Sequence, residues 1–164
     1  MKPGNATTGW RVAPADIERI IPVELLLDRI ADERNPDWIA CRRHLHTHPE
    51  PSGDEIQTTK FIADRLSSLG IAPNIPERGV GIVADLKIGS PTEDSPVIAV
   101  RADIDALRMQ DRKTVEYKSG CPGLAHACGH DAHTTVVLAV AELLTTLAKR
   151  LPESEIPSAH LRFI

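Results

Sequence analysis

Three segments decide the fold: VIAVRADI (residues 97–104), AHTTVVLAVAELLTTLAKR (132–150) and HLRFI (160–164). The first and last are short and begin or end in apolar runs, which predicts buried strands. The middle segment repeats apolar residues at helical spacing and ends on Lys149 and Arg150, a pattern typical of a helix C-terminus. A strand, a long helix and a returning strand predict a βαβ crossover, and therefore an α/β fold.

A further strand is predicted over residues 80–88, before a turn at 89–96 that is rich in Gly, Pro and Ser. The sequence admits a hairpin between this strand and the strand at 97–104 across that turn. Residues 106–127 show no strong period and are predicted to be irregular.

Prolines are expected to divide the N-terminal helical region. Residues 14–34 carry apolar side chains mostly at helical spacing, and Pro22 would either break one helix or start a second at its first position. Residues 35–37, Asn-Pro-Asp, predict the cap and first turn of a new helix. Residues 52–55 fit a capping box for the next helix, which Gly70 ends.

Composition bounds the class of protein. The chain has 164 residues, of which 41% are apolar and 26% charged, as in one ordinary globular domain. A net charge of −4 and five aromatic residues argue against a nucleic-acid partner. No apolar run is long enough to predict a membrane span, and residues 1–13 are predicted to be a flexible leader without a secretory signal. Three cysteines do not suggest a disulfide framework, so we expect a reducing, cytoplasmic environment.

The first candidate cluster is Arg101, Asp103 and Asp105, at the carboxyl end of a predicted strand. Alternation along a strand places all three charged side chains on one face. Ligands bind at such strand ends in open α/β sheets. Taken alone, however, the pattern is more typical of a strand entering solvent, with Arg101 paired to an aspartate.

The second cluster is His126, Cys128, His130, Asp131 and His133, immediately before the long helix. A thiolate and an imidazole two residues apart in an extended segment can converge on one cation. The aspartate can accept a hydrogen bond from an imidazole or bridge a second cation. This density of ligand-type side chains predicts a metal or catalytic role, although a redox or nucleophilic cysteine near a helix N-terminus is an alternative.

A third histidine group, HLH followed by TH at residues 44–48, is predicted to be structural. On a helix only His44 and His48 share a face. Cys121 lies in a predicted turn and is expected to be an ordinary thiol.

Three motifs occur in order: RRHLHTHPE (42–50), RADIDAL (101–107) and GLAHACGHDAH (123–133). Together they resemble the metal-dependent N-acyl-amino-acid amidohydrolases. This family includes hippurate hydrolases and auxin-conjugate hydrolases, within the aminoacylase and carboxypeptidase superfamily of zinc-exopeptidase fold. The resemblance covers roughly residues 35–164.

The resemblance implies an α/β/α sandwich holding two divalent cations, manganese or zinc with cobalt as a further candidate. Cys128 and His130 would be metal ligands. Asp103 would be the candidate catalytic residue, since it matches the acid that follows a ligand histidine by two residues in the wider superfamily; Arg101 stands in place of that histidine. The implied reaction is hydrolysis of the amide bond in small N-acyl amino acids or related conjugates, with a glutamate as general base.

The resemblance also predicts that residues 14–164 are only the N-terminal portion of the catalytic domain. The general-base glutamate, a glutamate ligand, two histidine ligands and a lid domain would lie beyond residue 164. We therefore expect this chain to be inactive alone. The alternatives are a non-catalytic metal-binding fragment or subunit that needs a complementing chain, and a truncated reading frame without function.

Overall fold

The structure is a computed structural model, and it describes residues 22–164. The predicted leader, residues 1–13, lies outside the described residues, as does the first part of the helix predicted at 14–34. In chain order the elements are α1 (Val23–Thr47), α2 (Ile56–Ser68), β1 (Pro73–Asn74), β2 (Val83–Ile88), β3 (Val97–Val100), α3 (His130–Arg150), a 3-10 helix (Glu153–Glu155) and β4 (Ala159–Phe163).

The sheet has four strands in the order β1-β2-β4-β3. Strands β3 and β4 are parallel and joined by α3, which confirms the predicted βαβ crossover. The hairpin that the sequence allowed between β2 and β3 does not form, because β4 lies between these two strands and pairs antiparallel with β2. Two strand spacings amount to about 9.6 Å, a distance that the loop at residues 89–96 spans easily.

The helices cover one face of this sheet. Alternate residues of β2 and β4 enter the same core as side chains from α1, α2 and α3. On the opposite face, β2 and β4 carry polar side chains, and there Arg162 donates two hydrogen bonds to Asp85 at 2.8 and 2.9 Å. The α/β class is confirmed. The core consists of Cys41, Leu45, Ile62, Leu66, Ile71, Ala84, Ile88, Leu138, Ala141, Leu161 and Phe163.

A single helix, α1, runs through the predicted boundary at residues 35–37, with Pro36 in its interior. The prediction of a new helix there is wrong. Helix α1 packs along α3 on both sides of the proline: Leu26 and Ile30 form a buried cluster with Leu147. Further along, the Trp38 indole donates to Glu142 at 2.8 Å. Tertiary packing therefore holds the helix together where local preference would end it.

The capping box predicted at residues 52–55 is also wrong. Helix α2 begins only at Ile56, and its N-cap residue makes no side-chain cap bond. The first free N–H groups, on Gln57 and Thr58, are instead bound by the Glu50 carboxylate at 3.1 and 2.7 Å. The carboxylate also favours the positive end of the helix dipole.

Within residues 22–164, α3 alone is long and apolar enough to pass a membrane-span test of length and composition. Core helices pass the same test. The buried side of α3 packs against α1 and the sheet, which accounts for its apolar sequence.

Candidate metal centre

The two predicted clusters meet at the carboxyl end of the parallel strand pair. The chain leaves β3 at Val100, and the segment that follows is hydrogen-bonded to β4 through Ala102 N and Ile164 O at 3.1 Å. An isolated bridge between Leu107 and Ala125 then brings the second cluster alongside. This edge is where open α/β sheets bind their ligands.

His130 is oriented by Asp105. Its Nδ1 lies 2.9 Å from the Asp105 carboxylate and 3.0 Å from the Asp105 carbonyl oxygen. A metal-ligating histidine is typically held in this way through the nitrogen that does not bind the metal. The arrangement leaves Nε2 directed toward Asp103, with Oδ2 at 4.0 Å.

The spacing of His130 and Asp103 lies within the upper limit for two ligands of one cation. Two ligand atoms that each lie about 2.1 Å from one metal are at most about 4.2 Å apart. The Asp103 side chain is 45% exposed and forms an ion pair with Arg101, which is 67% exposed. The predicted strand-end ion pair therefore exists. Because exposed pairs are weak, it leaves the Asp103 carboxylate available to a cation.

Cys128 lies in the turn that leads into α3. Gly129 occupies the N-cap position with φ of +90°, a left-handed conformation that favours glycine, so the backbone turns sharply between the thiol and His130. The Cys128 thiol is exposed, and all three cysteines are free. His133, the last member of the cluster, is exposed one turn into the helix.

The imidazole, thiol and carboxylate groups at this site are of the types that bind divalent cations, but they are too few to complete the coordination of a metal ion. In the part of the chain that the structure describes, no three His, Cys, Asp or Glu side chains form a group that could hold a metal. The structure thus brings His130, Asp103 and Asp105 together, whereas Cys128 as a ligand stays a prediction.

A buried polar network lies behind this cluster. The fully buried His46 places Nδ1 2.6 Å from Oδ2 of Asp131, whose side chain is also fully buried. The same oxygen forms an ion pair with Arg42, whose Nε lies 3.0 Å away. Asp131 therefore accepts from an imidazole, one of the two roles predicted for it. The sequence does not indicate this role of His46. Helical spacing shows only that His46 lies on a different face of α1 from His44 and His48.

Asp111 extends the network on the far side of His46. Its Oδ2 lies 3.3 Å from His46 Nε2, and the two carboxylate oxygens accept the N–H groups of Ser119 and Lys113 at 2.9 and 3.0 Å. These backbone hydrogen bonds, from Ser119 first and then Lys113, hold the pKa of Asp111 well below its usual range. Asp111 is therefore a carboxylate anion that ties its own loop to α1.

His126 is buried at the start of the second cluster. Among the described atoms, neither ring nitrogen has a hydrogen-bond partner, and neither has Oδ1 of Asp131. Burial lowers the pKa of His126, so the ring is neutral at pH 7. His126 therefore faces the interior, behind the exposed Cys128.

His44 and His48 share a face of α1, as predicted. His48 Nδ1 donates to the carbonyl of His44 at 2.8 Å, and the His44 ring stacks on Phe61 at 4.4 Å between centroids. Burial, followed by the neighbouring His48, lowers the pKa of His44. These contacts cap the end of the helix and agree with the structural role predicted for the pair.

Comparison with known proteins places this architecture. Residues 99–160 match the model of peptidase family M20/M25/M40. An N-acyl-L-amino acid amidohydrolase of Geobacillus stearothermophilus is 41% identical over 121 residues, which are 74% of this chain and 32% of that protein. The IAA-amino acid hydrolase ILR1-like 4 of Arabidopsis thaliana is 41% identical over 109 residues, 66% of this chain and 24% of that protein.

Among solved structures, the Bacillus subtilis YXEP protein matches with a TM-score of 0.69 and 38% identity. The match covers 80% of this chain and 34% of that one, which is described as a dinuclear metal binding peptidase from the M20 family. The fold and motifs are thus similar to those of M20-family proteins over the matched residues. The resemblance is confirmed: the chain carries a peptidase M20 segment, and its relatives are amidohydrolases. It spans about a quarter to a third of the length of the curated relatives that it matches.

Proposed function

We propose that the chain contributes part of the metal centre of an enzyme that hydrolyses the amide bond of N-acyl amino acids or related conjugates. The observation that carries the proposal is His130, which Asp105 holds by Nδ1 so that Nε2 is directed toward Asp103 at a ligand-sharing distance. The relatives named above act as amidohydrolases, which supports the same reaction class.

In this proposal Cys128 and His130 bind divalent metal, two ions per complete site, and the ions are manganese or zinc, with cobalt as a further candidate. Such an ion supplies Lewis-acid polarisation of the amide carbonyl. Asp103, the candidate catalytic residue, contributes a carboxylate at the same edge, and Asp105 fixes the tautomer and direction of His130. The substrate is a small molecule.

We further propose that the 164-residue chain is inactive alone. Two strong ligands and one nearby carboxylate cannot fix two cations, and by the resemblance we expect the general base to lie outside residues 14–164. The three free thiols agree with a reducing, cytoplasmic setting.

One observation favours the alternative of a subunit that needs a complementing chain. Strand β3 pairs only with β4 among the described strands, and its residues Val97 and Ile98 are 45% and 56% exposed. An apolar strand at a sheet edge is a template for another strand.

Two measurements test the proposal. The purified chain is assayed with N-acetyl- and N-benzoyl-amino acids in the presence of Mn²⁺ or Zn²⁺, and no turnover is expected. Robust turnover would overturn the proposed inactivity, and activity that appears only on mixing with a complementing chain would favour the subunit alternative.

Titration with Co²⁺ is expected to produce a thiolate-to-metal charge-transfer band that Cys128→Ser abolishes. Cys121→Ser is the matched control, because this thiol lies on a neighbouring loop and is half-buried. Loss of the band in the control alone, or no band in the unaltered chain, would remove Cys128 from the ligand set.

A further inference from the structure

We infer that Arg42, His46 and Asp131 form a rear clamp that positions the metal loop, residues 126–130, for metal binding. The inference rests on the proposed function. The three clamp residues do not touch the cation; they are positioning residues that act on the loop from the side opposite Asp105.

The clamp is closed around one carboxylate oxygen. Asp131 Oδ2 accepts a hydrogen bond from His46 Nδ1 at 2.6 Å and forms an ion pair with Arg42 Nε at 3.0 Å, and no part of the Asp131 or His46 side chain is exposed. A second Arg42 nitrogen lies 3.3 Å from the same imidazole nitrogen. A charge-assisted hydrogen bond such as the one from His46 is short and directional, and together with the Arg42 ion pair it fixes the rotamer of Asp131.

Asp131 and His130 are adjacent in sequence, at the start of α3, and are held from different sides. His130 is bound by Asp105 in front, while Asp131 is bound by α1 behind. With both side chains fixed, the first turn of α3 cannot rotate about its axis. The direction of His130 Nε2 therefore depends on both contacts.

The other end of the metal loop is tied to the same imidazole. His46 Nε2 lies 3.3 Å from Asp111 Oδ2 and 3.2 Å from Lys113 Nζ. The loop that carries these two residues also pairs Leu107 with Ala125, the residue immediately before the metal loop. His46 thus connects both ends of the segment that holds Cys128 and His130.

A network built only for stability would gain from apolar replacement, because desolvated charges are expensive even when paired. In return for this cost of desolvation, a buried polar network holds its side chains in one geometry. If the clamp positions ligands, its loss changes metal affinity by more than the loss of stability alone explains.

The test measures Co²⁺ affinity by chelator competition, with the thiolate band as readout, in parallel with urea unfolding of the metal-free chain. His46→Leu removes the contacts of both ring nitrogens, to Asp131 on one side and to the loop of Asp111 on the other. It is expected to weaken Co²⁺ binding about 10–100-fold. His46→Asn keeps a donor near the Nδ1 position and is expected to recover most of that loss. Arg42→Gln, at a side chain that is 31% exposed, provides a variant that folds if His46→Leu does not.

Glu142→Gln is the matched control. Glu142 also links α3 to α1, through Arg34 and Trp38, but at a distance from the metal loop. It is expected to lower stability and leave Co²⁺ affinity unchanged. Unchanged affinity in the His46 and Arg42 variants, or an equal loss in the Glu142 control, would overturn the clamp and leave the proposed function standing. The absence of measurable Co²⁺ binding by the unaltered chain in the chelator competition would overturn both.

Discussion

Asp111 combines a side chain that is only 3% exposed with two backbone N–H donors, from Ser119 and Lys113. These hydrogen bonds hold the pKa of Asp111 below the value of about 3.9 expected in an unfolded chain. A carboxyl group with a lowered folded-state pKa adds stability above the unfolded pKa, and that stability is lost as the pH falls through the folded pKa.

We therefore expect Asp111→Asn to lower the free energy of unfolding at pH 7, with a difference from the parent that narrows as the pH falls below about 4. Urea unfolding between pH 7 and pH 3 measures this difference. Asp94→Asn is the control at an exposed loop position, and it is expected to change stability by less than about 0.5 kcal/mol. A difference that stays constant across this range would contradict the assignment.

At the scale of elements, the N-terminus of α2 offers a direct comparison of two caps. Glu50 binds the free N–H groups of Gln57 and Thr58, whereas Ser52, the cap expected from sequence, does not bind them. Glu50→Ala is expected to destabilise the protein by about 0.5–2 kcal/mol, and Ser52→Ala by less than about 0.5 kcal/mol. Urea unfolding of the two variants measures both values. A larger loss of unfolding free energy for Ser52→Ala than for Glu50→Ala would show that Ser52 caps the helix after all.

The types of most elements could be predicted from local pattern, because apolar period and turn residues are properties of short segments. The boundaries and pairings could not. Pro36 lies inside α1 because packing against α3 on both sides outweighs its local preference. Strand β3 pairs with β4 rather than β2 because α3 returns the chain to a position between them. Both outcomes depend on residues more than thirty positions away.

At the scale of the whole molecule, the candidate site also has a part that local sequence pattern indicates, the metal loop, and a part that depends on long-range packing, the residues behind it. His126, Cys128 and His130 could be selected as candidates from sequence because ligand-type residues are dense within one short segment. The residues behind that segment could not be recognised, since His46 and Asp131 are 85 positions apart and His46 and Lys113 are 67 apart. The antiparallel packing of α1 on α3 brings His46 to Asp131, and the segment at residues 101–129 brings Lys113 to His46. No single segment carries a signal for either contact.

The topology also predicts which elements unfold last and therefore exchange their amide hydrogens most slowly. Strand β4 is hydrogen-bonded on both edges, and its Leu161 and Phe163 side chains are buried against the helices. Helix α3 packs against α1 along its length. Amides in such positions exchange only through large-scale unfolding, whereas loop amides exchange through local opening.

Native-state hydrogen exchange is therefore expected to be slowest in β4 and the middle of α3, and fastest in the loop at residues 89–96. Strand β3 should be intermediate, because it pairs with β4 on one edge while Val97 and Ile98 are half-exposed. The two-residue edge strand β1 is an internal reference for a weakly held strand. If β4 exchanged as fast as β1, its central position in the sheet would be wrong, and with it the strand end on which the metal centre is built.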